Sequence, residues 1–395
     1  MFPTDVVIVA GARTPMARYT GAFSNISANE LGAAAAREAI RRSGADPVEF
    51  DHAIFGNVMQ TSADALYGAR HVALKAGLKI QTPAVTVNRL CGSGIESVAQ
   101  AAQRILLGEA KLVLAGGMEN MTQAPHVIRG ARTGFRLGEG KLEDSLMSGL
   151  LDSHCGCTMS DTAENLAVEH GITRRACDEF ALRSQQLADA AYKACRMKEE
   201  LTPVEVKAGR KVTMFAEDDH RRPDTTMEIL TALPAAFRKD GVVTAGNASG
   251  IVDGAAAVVV TNETTAKERG WRPMGRIVAW GVSGVEPRLM GIGPVPSTQQ
   301  ALQRAGLKLE QMDLIEVNEA FAAQYLAVEK VLGLNREKVN VNGGAIALGH
   351  PLGASGTRLL ITLLYELRRR GARYGLATAC IGGGQGIAMI IEAIS

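Results

Sequence analysis

Short apolar segments alternate with longer amphipathic ones at both ends of the chain. Residues 84 to 88 are apolar and β-branched, which predicts a buried strand, and residues 95 to 107 carry Ala, Ile, Leu and Val at helical spacing. Further strands are predicted at 111 to 117 and 376 to 384, and both end in glycines. This alternation of strands and helices predicts an α/β fold.

The two ends of the chain also resemble each other. Three residues that close or open a predicted element have the same residue type 262 positions later, beside an element of the same kind. They are Gly44, Asp51 and Ser93. Three matches at one offset indicate an internal duplication. We therefore expect two similar α/β halves, packed together so that their functional turns face one cleft.

The middle of the chain has a different character. It is rich in charged residues and short turns around two predicted helices, one at about 162 to 169 and one from about Thr173, a suitable N-cap, to Met197. Such a segment is expected to bind substrate, and the alternative is a solvated surface excursion. The predicted organisation is a first half (1–120 and 251–273), an inserted loop domain (121–250) and a second half (274–395).

Composition narrows the class of protein. A net charge of only +2 over 395 residues gives no reason to expect a nucleic-acid partner or an anionic membrane surface. Six scattered cysteines do not suit a secreted disulfide scaffold. The sequence has no apolar run near the ~18 residues of a membrane span, and neither end carries a recognisable targeting signal. We expect a soluble cytoplasmic protein.

Cys91 is the strongest candidate for chemistry. It lies between a predicted strand and a predicted helix, where free backbone N–H groups and the helix dipole would stabilise a thiolate and a neighbouring oxyanion. The geometry of a nucleophile elbow follows the same logic. The alternative is a buried cysteine that acts only as a small hydrophobic residue.

Three further residues lie in motifs that packing does not explain. Asn318 follows a predicted strand and could hold a ligand or water, or serve as a helix N-cap. His350 is embedded in a glycine-rich loop, which favours a catalytic role, and Cys380 precedes a glycine turn. A cysteine nucleophile needs a base such as His350, and a second thiol such as Cys380 suits proton transfer. A redox couple or a metal site remains a weaker alternative because the paired spacing of such sites is absent.

These motifs resemble those of the thiolase family over essentially the whole chain. The similar segments are NRLCGSG, NEAFA, GGAIALGHPLGASG, CIGGGQG, TAGNASG and MGIGPVP. The resemblance implies a five-layered αβαβα fold and a ping-pong acyl transfer between coenzyme A thioesters. It also implies a homo-oligomer, a dimer or a dimer-of-dimers tetramer, and no bound cofactor or metal, since coenzyme A is itself a substrate.

The resemblance also implies roles for single residues. Cys91 would carry the acyl group, His350 would activate its thiol, and Cys380 would move the proton at the Cα of the acetyl group. Asn318, through a water, and His350 would form one oxyanion hole, and the backbone N–H groups of Cys91 and Gly382 would form the other. A Claisen condensation needs such a set, because it passes through an enolate and a tetrahedral oxyanion.

Coenzyme A would be held by the loop domain. By resemblance, Arg222 would meet the nucleotide and Ser249 the pantetheine. The thioester end would be lined by Met159, Met290, Ala320 and Phe321.

The sequence departs from the pattern of biosynthetic acetoacetyl-CoA thiolases at one place. Thr158 stands where those enzymes carry a histidine near the thioester, which leaves the acyl-chain preference open. The neighbouring His154, Cys155 and Cys157 raise a weaker hypothesis of a metal or redox site.

The function implied is an acetyl-CoA C-acyltransferase that makes or cleaves acetoacetyl-CoA or a longer 3-ketoacyl-CoA. One alternative is a decarboxylating 3-ketoacyl synthase, although that related group has a histidine where Cys380 stands. Another is a non-catalytic acyl-CoA or lipid carrier, although Cys91, His350 and Cys380 are all retained. A cysteine hydrolase would have to admit water to the acyl-enzyme.

Overall fold

The computed structural model describes residues 5–394, so the expectations about the outermost residues at either end lie outside the described part. The strands are β1 (Val6–Arg13), β2 (Ala17–Arg18), β3 (His52–Gly56), β4 (Ala84–Val87), β5 (Leu112–Glu119), β6 (His126–Ile128), β7 (Leu142–Asp144), β8 (Leu151–Asp152), β9 (Cys157–Thr158), β10 (Val204–Ala208), β11 (Lys211–Phe215), β12 (Val252–Asn262), β13 (Gly275–Gly284), β14 (Leu314–Val317), β15 (Tyr374–Ile381) and β16 (Gln385–Ala393). The α-helices are α1 (Ala28–Ser43), α2 (Gly68–Lys75), α3 (Ser93–Leu106), α4 (Ser145–Gly149), α5 (Met159–His170), α6 (Arg174–Lys193), α7 (Met227–Ala232), α8 (Glu263–Glu268), α9 (Pro294–Ala305), α10 (Ala322–Leu332), α11 (Ala345–Leu348) and α12 (Leu352–Arg370).

The principal strands follow the order β14-β15-β16-β13-β1-β12-β5-β3-β4, and β2 pairs with β12. β3 is parallel to β4 and β5, and β14 is parallel to β15. β14 and β15 begin 262 positions after β3 and β5, and they occupy the equivalent places in the second half. The two halves meet where β1 pairs briefly with β13, with Val7 opposite Arg276. The predicted duplication of an α/β half is therefore confirmed.

Three helical layers enclose the strands. α3 and α12 form the central layer, and the core around Ile95 and Leu360 includes strand residues from both halves, such as Val258 and Ile387. α1 and α2 cover the outer face of the first half, and α9 and α10 cover that of the second. α12 is buried on nearly every side because it lies between strands of the first half, β5 and β12, and strands of the second half, β14 and β15. These layers make the expected five-layered arrangement.

The inserted segment leaves the first half after β5, and the chain returns to that half through β12, which pairs with both β1 and β5. Its helices α5 and α6 pack against α10. The exact domain boundaries stay a prediction.

The two helices predicted in the inserted segment are present with different ends. α5 begins at Met159, earlier than predicted, because Thr158 and Asp161 form a capping box at its N-terminus. α6 begins after Thr173, as predicted. It ends at Lys193, before the predicted Met197, and Cys195 then takes a left-handed φ of 56°.

Candidate active site

Cys91 lies in a tight turn between β4 and α3. The preceding Leu90 has a φ of 46°, a strained conformation for a residue with a side chain. Two side chains hold it there: Asn88 Oδ1 accepts from the Leu90 N–H at 3.0 Å, and Ser93 Oγ donates to the Leu90 carbonyl at 2.7 Å. This turn presents the thiol to a cleft, as the nucleophile interpretation requires.

The surroundings of the Cys91 thiol change one expectation. The backbone N–H groups of Cys91 and Gly382 both interact with it, which favours the thiolate, but burial outweighs them and raises its pKa to about 12. The carboxylate of Glu119 raises it further. The predicted stabilisation of the thiolate by backbone N–H groups is therefore present but outweighed by burial, and Cys91 needs a base to become a nucleophile.

His350 is the base available in this cleft. Its Nδ1 lies 2.6 Å from Ser355 Oγ, and that hydroxyl donates its single proton to the Pro351 carbonyl at 2.9 Å. Nδ1 therefore carries the imidazole proton and Nε2 keeps a lone pair. Burial, followed by the positive charge of Arg358, lowers the pKa of His350 to about 3, so the ring is neutral at physiological pH.

Asn318 lies beside His350, with its Nδ2 3.2 Å from the His350 Nε2. The Asn318 Oδ1 is buried and has no hydrogen-bond partner among the described residues. Asn318 is not a helix N-cap, because α10 begins only at Ala322 and its N-cap residue is Phe321. The next residue, Glu319, is held by Ser184 Oγ at 2.7 Å and the Asn340 amide at 2.8 Å, which fixes the backbone at Asn318.

Cys380 is fully buried at the end of β15. It packs in a small apolar cluster with Met290 and Ala320, and Met159 and Phe321 pack against that cluster. Burial raises its pKa well above the usual value, and the neighbouring Cys91 raises it further. This environment therefore favours the neutral thiol of Cys380.

The turn after β15 brings a backbone amide to Cys91. Gly383 and Gly384 have φ values of 78° and 81°, so the three-residue connection to β16 depends on glycine. A side chain at Gly382 would lie 3.0 Å from Leu90 Cδ1 and 3.3 Å from Met159 Sδ. Glycine at this position lets the amide approach the sulfur closely.

The cleft is mainly apolar and joins residues from both halves and the inserted segment. It is lined by Leu90, Cys91, Met121, Met147, Gly149, Leu150, Thr158, Met159, Ser160, Phe237, Ala248, Ser249, Gly250, Ile251, Met290, Ala320, Phe321, His350, Leu352 and Gly382. Nine of the twelve residues proposed from sequence line it. Asn318 and Cys380 lie behind its wall, while Arg222 is exposed and lies outside the lining.

Thr158 contacts the cleft, but its hydroxyl is engaged in capping α5. It accepts from the Asp161 N–H at 3.2 Å and lies 2.8 Å from Ser160 Oγ. The replacement of a histidine by this residue therefore leaves a short, internally bonded side chain at the cleft wall.

Sequence reasoning missed two residues behind the cleft. Ser355 fixes the tautomer of His350. The sequence clue to Ser355 was the match between Ser93-Gly94 and Ser355-Gly356, which served only as evidence of the duplication. Glu119 is fully buried and accepts hydrogen bonds from four N–H groups, among them those of Met59 and Gly353. The sequence clue to Glu119 was an acidic residue at the end of a buried strand, in the segment AGGMEN.

Across residues 5–394, no three or more His, Cys, Asp or Glu side chains lie together as a metal site would require. His154, Cys155 and Cys157 thus gain no support as metal ligands. In the same range no helix is long and apolar enough to cross a membrane.

Comparison with known proteins places the chain among relatives along its whole length. The family models "Thiolase, N-terminal domain" and "Thiolase, C-terminal domain" match residues 6–264 and 271–393. The chain is 52% identical to human mitochondrial 3-ketoacyl-CoA thiolase over 388 residues, 98% of each chain. It is 49% identical to the acetyl-CoA acetyltransferase of Cupriavidus necator over 392 residues, 98% of this chain and 99% of that one.

Solved structures agree with the sequence relatives. The crystal structure of human mitochondrial 3-ketoacyl-CoA thiolase matches with a TM-score of 0.98 at 51% identity, covering 100% of both chains. The acetyl-CoA acetyltransferase of Bacillus anthracis matches with the same TM-score at 44% identity and the same coverage. This chain has the thiolase fold and belongs to the thiolase family.

Proposed function

We propose that this chain catalyses the reversible, coenzyme A-dependent Claisen condensation and thiolysis of 3-ketoacyl-CoA thioesters. It joins two acetyl-CoA molecules into acetoacetyl-CoA and coenzyme A, or cleaves longer 3-ketoacyl-CoA substrates. One observation carries the proposal: the Cys91 thiol, the neutral imidazole of His350 and the amide of Gly382 meet in one apolar cleft, with Cys380 directly behind it. The names of the relatives, 3-ketoacyl-CoA thiolase and acetyl-CoA acetyltransferase, support it.

Thiolysis begins with the transfer of the Cys91 proton to His350 Nε2. The sulfur then attacks the 3-keto carbonyl, and the bond between C2 and C3 breaks to leave an acyl group on Cys91 and an enolate of acetyl-CoA. The raised pKa of Cys91 makes this transfer necessary, because little thiolate exists without a base. The low pKa of His350 keeps its nitrogen free to accept the proton.

Cys380 then gives its proton to the enolate carbon and so releases acetyl-CoA. A thiol whose pKa is raised holds that proton until a stronger base, the carbanion, appears. The Cys380 thiolate next takes the proton of the coenzyme A thiol, and the coenzyme A sulfur attacks the acyl-Cys91 carbonyl. The shortened acyl-CoA is released, and Cys91 leaves as a thiol because His350 returns its proton to the sulfur. Condensation follows the same steps in reverse, with Cys380 removing the proton from acetyl-CoA.

Two sets of donors stabilise the oxyanions of these steps. We assign the backbone N–H groups of Cys91 and Gly382 to one, because both already interact with the sulfur that bears the acyl group. We assign His350 and a water held by Asn318 to the other. The buried Asn318 Oδ1, which lacks a partner in the described part of the chain, supports this assignment.

Coenzyme A is proposed to lie along the inserted segment, with its thioester end in the cleft. Ser249 lines the cleft and would meet the pantetheine. Arg222 is exposed and would meet the nucleotide. The enzyme would need no further cofactor, since coenzyme A is consumed and released as a substrate.

A homo-oligomer, a dimer or tetramer, is also proposed from the family. The compartment stays a prediction: the sequence suggested the cytoplasm, whereas the human relative is mitochondrial by name.

The test is coenzyme A-dependent cleavage of a series of 3-ketoacyl-CoA substrates from short to long chains, followed by loss of the Mg²⁺–enolate absorbance. Activity confined to acetoacetyl-CoA would indicate a short-chain enzyme, and activity that rises with chain length would indicate a broad degradative one. Absence of cleavage across the series would contradict the proposal and favour a non-catalytic acyl-CoA carrier. Release of free acid without acceptor coenzyme A would instead indicate a hydrolase.

A further inference from the structure

Two cysteines that the proposed reaction does not use lie in the β8–β9 hairpin, Cys155 in its turn and Cys157 at the start of β9. In this hairpin Leu151 is opposite Thr158 and Asp152 is opposite Cys157. The turn is closed by a hydrogen bond of 2.8 Å from the Gly156 N–H to the Asp152 carbonyl. Gly156 itself takes a left-handed φ of 68° and completes the turn over residues 153–156, between Cys155 and Cys157.

This turn brings the two sulfurs together. The Cys155 and Cys157 thiols interact directly, and the Cys157 Sγ also lies 3.7 Å from the Cys155 carbonyl oxygen. Residues two apart have Cα atoms at most about 7 Å apart when extended, and a turn shortens that distance. It then falls within the span of about 4.4–6.8 Å that a disulfide requires.

The two thiols differ in access. Cys155 is partly exposed, while Cys157 is only 8% exposed. An external oxidant would therefore meet Cys155 first, and Cys157 would be left to complete the reaction from the protected side.

We propose that Cys155 and Cys157 are a reversible dithiol–disulfide pair, distinct from the catalytic cysteines. The oxidant is a low-molecular-weight disulfide. The Cys155 thiolate attacks one of its sulfurs and expels a first thiolate, which leaves a mixed disulfide on Cys155. The Cys157 thiolate then attacks the Cys155 sulfur and expels the second thiolate, so two protein thiols become one disulfide and one small disulfide becomes two thiols.

The pair is placed to act on the substrate cleft. The Met159 N–H donates to the Leu150 carbonyl at 3.0 Å, directly after the hairpin, and Leu150, Thr158 and Met159 all line the cleft. A bond between Cys155 and Cys157 fixes the tip of the hairpin whose base forms this wall. The strained or exposed disulfides of short turns are readily reduced, which makes the modification reversible.

The experiment treats the full-length protein with oxidised glutathione, followed by acid quenching, alkylation and peptide mass spectrometry. Cys195 is a built-in control, because it is exposed and belongs to no cysteine pair in residues 5–394. The oxidant is increased until Cys195 carries glutathione. At that point the peptide with Cys155 and Cys157 should lack two hydrogen atoms, carry no glutathione, and return to its original mass with a reductant.

Two variants separate the steps. Cys157→Ser should leave a stable glutathione adduct on Cys155, and Cys155→Ser should leave Cys157 largely unmodified. A stable adduct on Cys155 in the unsubstituted protein, or no change in either thiol while Cys195 reacts, would overturn the proposal. Hydrogen exchange at residues 150–160 should slow several-fold on oxidation, and unchanged exchange would contradict the stiffening of the cleft wall.

Discussion

Ser355 Oγ lies 2.6 Å from the Nδ1 of His350 and donates its own proton to the Pro351 carbonyl. This pair of contacts decides which imidazole nitrogen carries the proton. It leaves Nε2 facing Asn318 and the cleft as the nitrogen that accepts a proton from Cys91.

Ser355→Ala should therefore lower kcat/KM for thiolysis by about tenfold to a hundredfold, because the imidazole loses the contact that fixes its tautomer and orientation. Steady-state thiolysis with acetoacetyl-CoA measures the effect. Ser355→Thr retains a hydroxyl and should recover part of the loss. If the alanine variant kept normal kcat/KM, the tautomer argument would be wrong.

The stability of the protein should depend on pH through His350. Below its ordinary pKa of about 6.5, this imidazole binds a proton in the unfolded chain, whereas in the folded chain it stays neutral down to about pH 3. Stability is therefore lost as pH falls from 6.5 toward 3. At pH 5 the loss from this group is about 2 kcal/mol.

Urea unfolding at pH 7 and pH 5 tests this dependence. His350→Gln should show a smaller drop in unfolding free energy than the unsubstituted protein. The same change at the exposed His126 provides the background. Equal drops in the protein and its His350→Gln variant would mean that His350 is not the group responsible.

Cys380→Ala should separate the two steps of the reaction, acylation of Cys91 and proton transfer at Cα. The variant should still form an acyl-enzyme from acetyl-CoA, since acylation needs Cys91 and His350. It should lose carbon–carbon bond formation and cleavage by at least about a hundredfold, because no group moves the proton at Cα. Cys177→Ala is a matched control, as Cys177 is also fully buried but lies in α6, outside the cleft. Near-normal thiolysis by Cys380→Ala would refute the proposed role.

Glu119 is expected to hold the loops around the cleft together. Its carboxylate accepts from the N–H groups of Val58 and Met59 after β3 and of Gly353 at the start of α12, at 2.8 to 3.1 Å. Glu119→Gln places an amide donor against these donors and should cost about 2–4 kcal/mol of unfolding free energy. Glu143→Gln, at an exposed ion pair with Arg129, should cost less than about 1 kcal/mol. Similar losses in the two variants would contradict this account.

The architecture could be predicted from the sequence because an internal duplication leaves matching residues at one constant offset. Ser93 and Ser355 mark the same turn in two halves, so the equivalence of the halves could be deduced before any coordinates. Cys91, His350 and Cys380 each lie beside such a repeated turn, so the meeting of these residues followed from the pattern.

The pKa values of the site cysteines could not be predicted from the sequence in the same way. Burial raises the pKa of Cys91 and of Cys380, and this burial depends on residues distant in sequence, such as Met290 and Ala320, which pack with Cys380. The backbone N–H at the start of the helix does favour the Cys91 thiolate, as predicted, but burial has the larger effect on its pKa. The early start of α5 likewise depended on the side chain of Asp161 bonding back to Thr158.

The central claim is that Cys91 carries the acyl group. The most direct measurement is mass spectrometry of the acid-quenched protein after mixing with acetyl-CoA, with removal of the released coenzyme A to stop the reverse reaction. The account predicts one acetyl group on the peptide that contains Cys91, and none in Cys91→Ala. An acetyl group on Cys380 instead, or no covalent adduct at any residue while thiolysis proceeds, would contradict it.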